Sequence, residues 1–255
     1  VQAGITDQVL AMFTNLDKYK DMLDSHTNGS SAVSRSQVGM SAGASSGLSG
    51  MSSLDEVHGF CLSVEESTIP GAGKGVFVKT SSPDITIMPG TLLGFMPGRV
   101  HLPEHLRTKE HIAKLFPDDD FMLMSRADGC VIDARTANQV PSNAFAHCHY
   151  ANHPSEGMEP NVLQATYDFQ ADPLGIDEFP QALRHHIPNT YATPPTLLGT
   201  PDRSAFMQSI VLLATKPLHT GDEIFLDYRL NPDRADLPPW YAHYDADAVR
   251  KRLAQ

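Results

Sequence analysis

Three short segments of the chain carry residue types that could form a binding or catalytic site. The first is the turn 71–75, where glycine occupies every second position and lets backbone approach a ligand closely. The second contains Asn152 and His153, and an asparagine amide can both donate and accept hydrogen bonds. The third is 221–228, where a glycine turn precedes an apolar run that ends at Tyr228. Together they predict a ligand held by backbone and amide groups, with a tyrosine hydroxyl nearby.

The glycine turn is a weak signal when it is read alone. A predicted strand, Gly75-Val76-Phe77-Val78, follows it, whereas the dinucleotide-binding motif requires a helix at this place. The sequence therefore argues against that class of site. An ordinary turn is the simpler interpretation of these glycines until other residues are considered.

Neighbouring histidines offer a competing chemistry. His147, His149 and His153, with Cys148 between them, are residue types that bind transition metals. Each histidine could equally lie at the surface or make an ordinary hydrogen bond. A metal site also needs a further ligand and outer partners, and the sequence nominates neither. We keep this site as an alternative and assign no metal ligand.

Length and composition describe an acidic chain with a sizeable core. Of 255 residues, 41% are hydrophobic, and the formal net charge is -11. This charge argues against nucleic acid as a direct partner and fits a basic, lysine-rich partner. Cys61, Cys130 and Cys148 are too few and too widely spaced for a disulfide framework or a zinc ribbon. No apolar run approaches the length of a membrane span, so no membrane partner is expected.

The compartment is only coarsely indicated. The chain begins with Val1 rather than Met, so we expect residues upstream in the native protein, where a targeting segment would be invisible. We expect an intracellular protein of the nucleus, the cytoplasm or an organelle. The sequence leaves the oligomeric state open.

The elements that must position these segments change in character along the chain. Residues 1–24 have helical apolar spacing and predict an amphipathic helix. Residues 25–55 are rich in Ser and Gly, which is typical of a flexible linker. Residues 56–230 form the main domain, with an irregular, proline-rich insertion at 172–205. Residues 231–255 form a tail.

The main domain has the pattern of a β protein. Residues 162–169 alternate between apolar and polar, and Met207–Ala214 is a continuous apolar run typical of a buried strand. Glu223–Tyr228 is the last predicted strand, and one helical turn is predicted near Gln181–His185. Short strands punctuated by Gly and Pro predict a mainly β architecture of small sheets with short helices.

In their order along the chain, the three segments resemble the signature of SET-domain protein lysine methyltransferases. Those enzymes move a methyl group from S-adenosylmethionine to a lysine amine. The resemblance covers about residues 60–230 and implies a β-clip fold of small curled sheets, with the last motif tucked through a loop as a pseudoknot. Within the insertion, a finer similarity is to the SET domain protein nine group. It rests on Phe179-Pro180-Gln181-Ala182-Leu183, Ile187-Pro188-Asn189 and Tyr191.

The resemblance also implies a binding site for S-adenosylmethionine. In the family, backbone groups of the glycine turn hold the methionine end of this cofactor. The asparagine side chain meets its ammonium, and the histidine backbone meets the adenine. His149 replaces the usual arginine, and Phe145-Ala146 replaces the usual Gly-Asn. The cofactor-binding positions implied here are Ala72, Gly73, Lys74, His149, Asn152, His153 and Tyr228.

The resemblance makes Tyr228 the catalytic residue. A lysine amine must lose its proton and align with the sulfonium methyl before transfer. A tyrosine hydroxyl at the inner end of the lysine channel can orient the amine and contact the sulfonium methyl. On residue type alone, a core tyrosine at a strand end is the simpler interpretation, and its place in the motif favours the catalytic one.

The predicted lysine channel departs from the family pattern. Leu226 occupies the position where the family has Phe or Tyr. Leucine has no hydroxyl group that could hold a water molecule, so this residue predicts that more than one methyl group is added to the lysine. Many family members close the channel with a cysteine-rich zinc segment, but no cysteine follows Cys148. An aromatic residue of the tail is expected to close it instead, namely Trp240, Tyr241 or Tyr244.

Two functions follow from these observations. The first is methyl transfer from S-adenosylmethionine to the side-chain amine of a lysine in a protein substrate, histone or non-histone. The second is a SET-like module that binds a protein partner without catalysis. Leu226, the missing Gly-Asn and Pro154-Ser155, which replaces the usual Ser-Cys, favour the second.

Overall fold

The computed structural model of the chain has the predicted mainly β class with short helices. It describes residues 2–29, 53–106, 122–170, 179–193 and 205–233, together with 235, 237, 241, 243 and 245–254. Within these ranges, no helix combines the length and the apolar character that crossing a bilayer requires.

The described residues contain three α-helices and nine strands. The helices are α1 (Gln2–Gly29), α2 (Leu54–His58) and α3 (Ala246–Leu253). The strands are β1 (Cys61–Glu66), β2 (Lys74–Lys79), β3 (Leu92–Phe95), β4 (Gly98–His101), β5 (Leu123–Ser125), β6 (Val131–Asp133), β7 (Val162–Gln170), β8 (Asn189–Tyr191) and β9 (Ala205–Ala214). Short 3₁₀ helices lie at Pro103–His105, Ala134–Gln139, Cys148–Tyr150 and Gln181–His186.

The strands of the described segments pair into three small sheets. Strands β1 and β2 form an antiparallel pair, and a second sheet has the order β3-β9-β7. The third has the order β5-β6-β4-β8, in which β4 and β8 run parallel. None of these sheets closes into a barrel, which agrees with the expectation of several small sheets.

Strands β7 and β9 were the clearest predictions from periodicity, and the structure pairs them in the core. Their antiparallel register runs from Val162 opposite Ala214 to Phe169 opposite Met207. Both Tyr167 and Phe169 are buried on one face of β7, as their alternation predicts. Strand β9 is buried along most of its length, which explains why its sequence is apolar except at Gln208 and Ser209.

The predicted insertion is more ordered than its sequence suggested. The single helical turn is confirmed as the 3₁₀ helix Gln181–His186. The following strand β8 was not predicted, because its sequence is short and polar. It forms through distant partners: the buried Asn189 side chain donates to the carbonyls of Met96 (2.9 Å) and Gly98 (3.2 Å). Residues 171–178 and 194–204 lie outside the described residues.

The predicted last strand makes isolated β-bridges to two other segments of the chain. Glu223 pairs antiparallel with Phe77 of β2, while Phe225 pairs in parallel with Asn152. Leu226 continues in parallel with Val162. This segment therefore lies between β2 and residues 152–162. Threading through a loop stays a prediction.

Helix α1 packs on the domain as part of its core. It extends to Gly29, beyond the expected end at residue 24, and the described part of the predicted linker also contains α2. Phe13 is fully buried, with ring centroids 5.3 Å from Phe95 and 6.1 Å from Phe169. The Gln8 side chain donates to the Gly90 carbonyl (3.1 Å) and accepts from the Leu92 amide (2.7 Å), so α1 also satisfies backbone beside β3.

Phe13→Ala tests this packing. The change leaves a cavity among the rings of Phe95, Phe169, Phe179 and His186, so we expect the free energy of unfolding to fall by about 3–5 kcal/mol. Urea unfolding followed by circular dichroism measures it. The neighbouring Thr14 is exposed, and Thr14→Ala should change the free energy of unfolding by less than about 0.5 kcal/mol. Equal, small effects of both variants would mean that α1 is not part of the core.

Candidate ligand-binding and catalytic site

A cavity of about 580 Å³ lies where the three predicted segments meet. Its volume is in the range of small-molecule sites. Six residues predicted from the sequence line it: Ala72, Lys74, His149, Asn152, His153 and Tyr228. The sequence analysis missed the others, which are Ile69, Pro70, Gly71, Met122, Tyr150 and Ser155. The structure thus brings the segments together, while the role of each residue stays a prediction.

Other predicted residues lie beside the cavity rather than in its lining. The Gly73 carbonyl accepts a hydrogen bond from the Ser67 amide (2.8 Å), so this carbonyl faces the segment that contains Ser67. Leu226 is buried in the hydrophobic core, and its amide donates to the Asn152 carbonyl (2.9 Å). Tyr241 packs behind His153. Trp240 and Tyr244 lie outside the described residues.

The turn between β1 and β2 has a backbone that requires glycine. Gly71 and Gly73 have φ of +80° and +75°, a region where an L side chain is strained. Between them, the Ala72 amide donates to the Ile69 carbonyl (3.1 Å) and closes the turn. The Lys74 ammonium pairs with the exposed Glu66 (2.6 Å). This turn contributes Gly71, Ala72 and Lys74 to the cavity lining.

Asn152 has a defined orientation at the cavity. Its amide nitrogen donates to the Lys74 carbonyl (2.9 Å) and to Oε1 of Glu223 (3.1 Å). Both partners can only accept, so the NH₂ group must face them. The side-chain oxygen is then the group that Asn152 offers to a ligand. An oxygen accepts from an ammonium, which is the role implied by the resemblance.

The buried Glu223 carboxylate connects the walls of the cavity. Besides Asn152, it accepts from the Ser67 hydroxyl (2.7 Å) and from the Thr68 amide (2.7 Å) and hydroxyl (2.5 Å). A Cβ at Gly75 would collide with it, so glycine is required there. Sequence reasoning gave this residue no role. Its only signal was an acidic residue directly before the apolar run Ile224-Phe225-Leu226, and a charge that is buried there is costly unless it is well paired.

Asn161 holds the last motif by its backbone. Its side chain donates to the Glu223 carbonyl (2.8 Å) and accepts from the Phe225 amide (2.8 Å). One amide side chain thus replaces the two hydrogen bonds that a neighbouring strand would supply. The sequence analysis assigned no role to this residue either.

Tyr228 reaches the cavity with its hydroxyl protonated. The hydroxyl donates to the Ala151 carbonyl (3.2 Å), and the backbone amide donates to Nδ1 of His153 (3.2 Å). Burial raises the pKa of Tyr228 to about 12. At neutral pH the residue is therefore a phenol that can orient a ligand, and it does not act as a base.

The tail contacts the site through Tyr241. Its ring stacks on the His153 ring, with centroids 4.1 Å apart and an interplanar angle of 16°. Its hydroxyl accepts from the Leu230 amide (3.0 Å). These contacts hold the tail next to the chain that carries Tyr228. Closure of a lysine channel by Tyr241 stays a prediction.

His149 is one of the residues that line the cavity, and one of its ring nitrogens makes no hydrogen bond to a described residue. Burial lowers the pKa of His149 to about 4, so the ring is neutral at physiological pH. Its Nδ1 is buried and has no hydrogen-bond partner within the described part of the chain. Buried polar atoms rarely stay unpaired in a native protein. Because this atom is buried, it does not face the open space of the cavity and assigns no ligand contact.

The alternative metal site is not supported by this geometry. Among the described residues, the ligand atoms of His147, Cys148, His149 and His153 do not converge as a metal would require. Cys148 is fully buried, and burial raises the pKa of its thiol, which disfavours the thiolate that binds metals. His153 already accepts a hydrogen bond at Nδ1.

Comparisons with known proteins add little. No protein-family model matches the chain, and no curated protein matches it. Among solved structures it is similar to one described as "ctPRC2 in an autoinhibited conformation bound to S-adenosylmethionine". The identity is 12% and the TM-score is 0.36, over 78% of this chain and 17% of that one. The chain thus spans about a sixth of the neighbour's length, and its function has to be argued from the site.

Glu223→Gln tests the network that holds the site. The amide cannot accept at every position of the carboxylate, so we expect the free energy of unfolding to fall by roughly 1.5–3 kcal/mol. Thermal and urea unfolding measure the change. The side chain of Glu66 is 77% exposed, and Glu66→Gln should leave the unfolding midpoint unchanged. If Glu223→Gln also leaves the unfolding midpoint unchanged, the carboxylate does not organise the cavity.

Proposed function

We propose that this protein is an S-adenosylmethionine-dependent methyltransferase that acts on the side-chain amine of a protein lysine. One observation supports this best. Lys74, Asn152 and Tyr228 come from three separate segments of the sequence, and all three line a single cavity. That arrangement joins a backbone turn, an acceptor for an ammonium and a neutral tyrosine hydroxyl. These are the groups that the proposed reaction needs.

The residues of the cavity fit the proposed cofactor. The Asn152 oxygen can accept from the ammonium of its methionine end, beside the turn 71–74. S-adenosylmethionine supplies an electrophilic methyl group on its sulfonium when it is bound. In our proposal the chain itself binds and orients the reactants and excludes water.

The target lysine must reach the reaction as a neutral amine. Its ordinary pKa is about 10.4, and an apolar channel disfavours the charged form. Tyr228 cannot take the proton, because burial holds its pKa at about 12. Its hydroxyl proton is directed to the Ala151 carbonyl, so its oxygen lone pairs can accept from the amine. We therefore assign Tyr228 to orientation of the amine.

The proposed partner is a basic segment of another protein, histone or non-histone. The formal net charge of -11 favours association with lysine-rich sequence. Membership of the SET domain protein nine group is part of the proposal and rests on the similarity in residues 179–191. Leu226 leads us to propose that more than one methyl group is added to each lysine.

Cofactor binding is tested by calorimetry with S-adenosylmethionine. We expect Asn152→Ala to weaken binding by at least about tenfold, because the ammonium loses its acceptor and a charge-assisted hydrogen bond is worth more than about 1.4 kcal/mol. Asn231 is exposed and lies outside the cavity lining, so Asn231→Ala should bind like the wild type. Absence of binding to the wild-type protein would refute the cofactor assignment.

Methyl transfer is tested with labelled S-adenosylmethionine and a set of lysine-rich proteins and peptides. Tyr228→Phe should lower the transfer rate by about 10²-fold while cofactor affinity is kept, as for loss of one preorganised polar group. Tyr19→Phe removes a hydroxyl from α1, away from the cavity, and should transfer at the wild-type rate. Mass spectrometry of the product gives the number of methyl groups. An unchanged rate in Tyr228→Phe would remove Tyr228 from the reaction.

The second candidate function is a partner-binding module without catalysis. The burial of Leu226 in the core, at a position that faces the lysine in related enzymes, favours it. Under this hypothesis the wild-type protein binds S-adenosylmethionine or a basic peptide, but transfers no methyl group to any member of the substrate set.

A further inference from the structure

A second group of reactive side chains lies far from the cavity, between α1 and the 3₁₀ helix Gln181–His186. Asp17 of α1 places its Oδ1 atom 3.1 Å from Nε2 of His185 and 2.8 Å from Nε2 of His186. One ligand atom of each side chain lies within 4.8 Å of the other two. In the described residues this is the group of His, Cys, Asp and Glu side chains that converges in this way.

The hydrogen bonds of His185 leave two acceptor atoms facing each other, and a cation between them would stabilise this arrangement. Its Nδ1 lies 2.8 Å from the Ala182 carbonyl, which can only accept, so Nδ1 carries a hydrogen. In a neutral ring, Nε2 then has a lone pair, and that lone pair faces the Asp17 carboxylate, which also can only accept. A ring nitrogen that binds a metal while the other donates to a backbone carbonyl is the usual arrangement of metal-ligating histidines.

The cation is either an added proton or a metal ion, and the third residue favours the metal. If His185 takes up a proton, its Nε2–H group hydrogen-bonds to Asp17 but makes no bond to His186. A metal ion binds both histidine nitrogens and the carboxylate oxygen through one centre. In a tetrahedral zinc site with bonds near 2.0–2.1 Å, neighbouring ligand atoms lie about 3.3 Å apart. The observed separations from Asp17 need only a small expansion to reach this value.

We propose that Asp17, His185 and His186 form a binding site for a divalent transition-metal ion, with Zn²⁺ as the ion of choice. Two imidazoles and a carboxylate suit Zn²⁺ better than Mg²⁺ or Ca²⁺, which prefer oxygen ligands alone. The side chain of His186 is buried, whereas those of His185 and Asp17 are 51% and 36% exposed. The ion can therefore enter from solvent, and water completes its coordination.

Such a site fastens α1 to the segment that precedes β8. Phe13 of the same helix packs against the His186 ring, with centroids 5.4 Å apart, so the metal adds to an existing contact. An ion that binds only the folded state stabilises it. At a hundredfold excess over its dissociation constant, Zn²⁺ should raise the melting temperature by roughly 5–10 °C. The proposal is independent of the methyltransferase assignment.

The test uses the full chain freed of metal by dialysis against EDTA. Calorimetric titration with ZnCl₂ should give one ion per chain at micromolar concentrations, and Co²⁺ should produce visible absorption bands. His185→Gln and Asp17→Asn should each weaken Zn²⁺ binding by at least tenfold and abolish the rise in melting temperature. His219 is an exposed histidine near the carboxylate of Asp222. His219→Gln is therefore the matched control and should bind like the wild type.

Three outcomes would overturn the proposal. One is the absence of Zn²⁺ binding at micromolar concentrations in the wild-type chain, which would leave an ordinary ion pair between Asp17 and His185. Another is equal Zn²⁺ affinity in His185→Gln and in the wild type. The third is loss of binding in His149→Gln with retention in His185→Gln, which would place the ion at the cavity instead.

Discussion

The architecture of the site depends on one buried charge. A carboxylate removed from water is stable only when several donors surround it, and Glu223 obtains its donors from both sides of the cavity. Ser67 and Thr68 approach from the chain before the glycine turn, and Asn152 approaches from the opposite wall. The carboxylate therefore joins the last motif to the segment before the glycine turn and to the segment that carries Asn152.

Around the last motif, side-chain amides make the backbone hydrogen bonds that neighbouring strands make in the sheets. The last motif has single bridges on two sides in place of a continuous ladder. Asn161 supplies the missing backbone partners, and Asn152 uses both amide hydrogens to join the motif to the turn. Tyr228 is thereby delivered to the cavity at the end of a short, well-anchored segment. Its burial keeps the phenol neutral.

Local periodicity predicted the elements that bury large apolar faces. The helix at the N-terminus, the alternating β7 and the apolar β9 were all visible, because their own side chains supply most of their stabilisation. Strand β8 and the length of α1 were not visible. Asn189 secures β8 through carbonyls near β4 that are distant in sequence, and no local pattern reports such bonds. The irregular appearance of residues 179–193 reflected their composition rather than their structure.

By itself, the sequence determined which residue types stand at each of the three segments, and their order carried the resemblance from which Tyr228 and the cofactor were inferred. Only the tertiary structure decided that these segments share one cavity, that Glu223 is the charge that joins them, and that Asp17 meets His185 and His186. The physical reason is the same in each case. Whether a polar group is buried, and which partners satisfy it, depends on contacts between residues far apart in the chain, whereas hydrophobic periodicity is a property of neighbours.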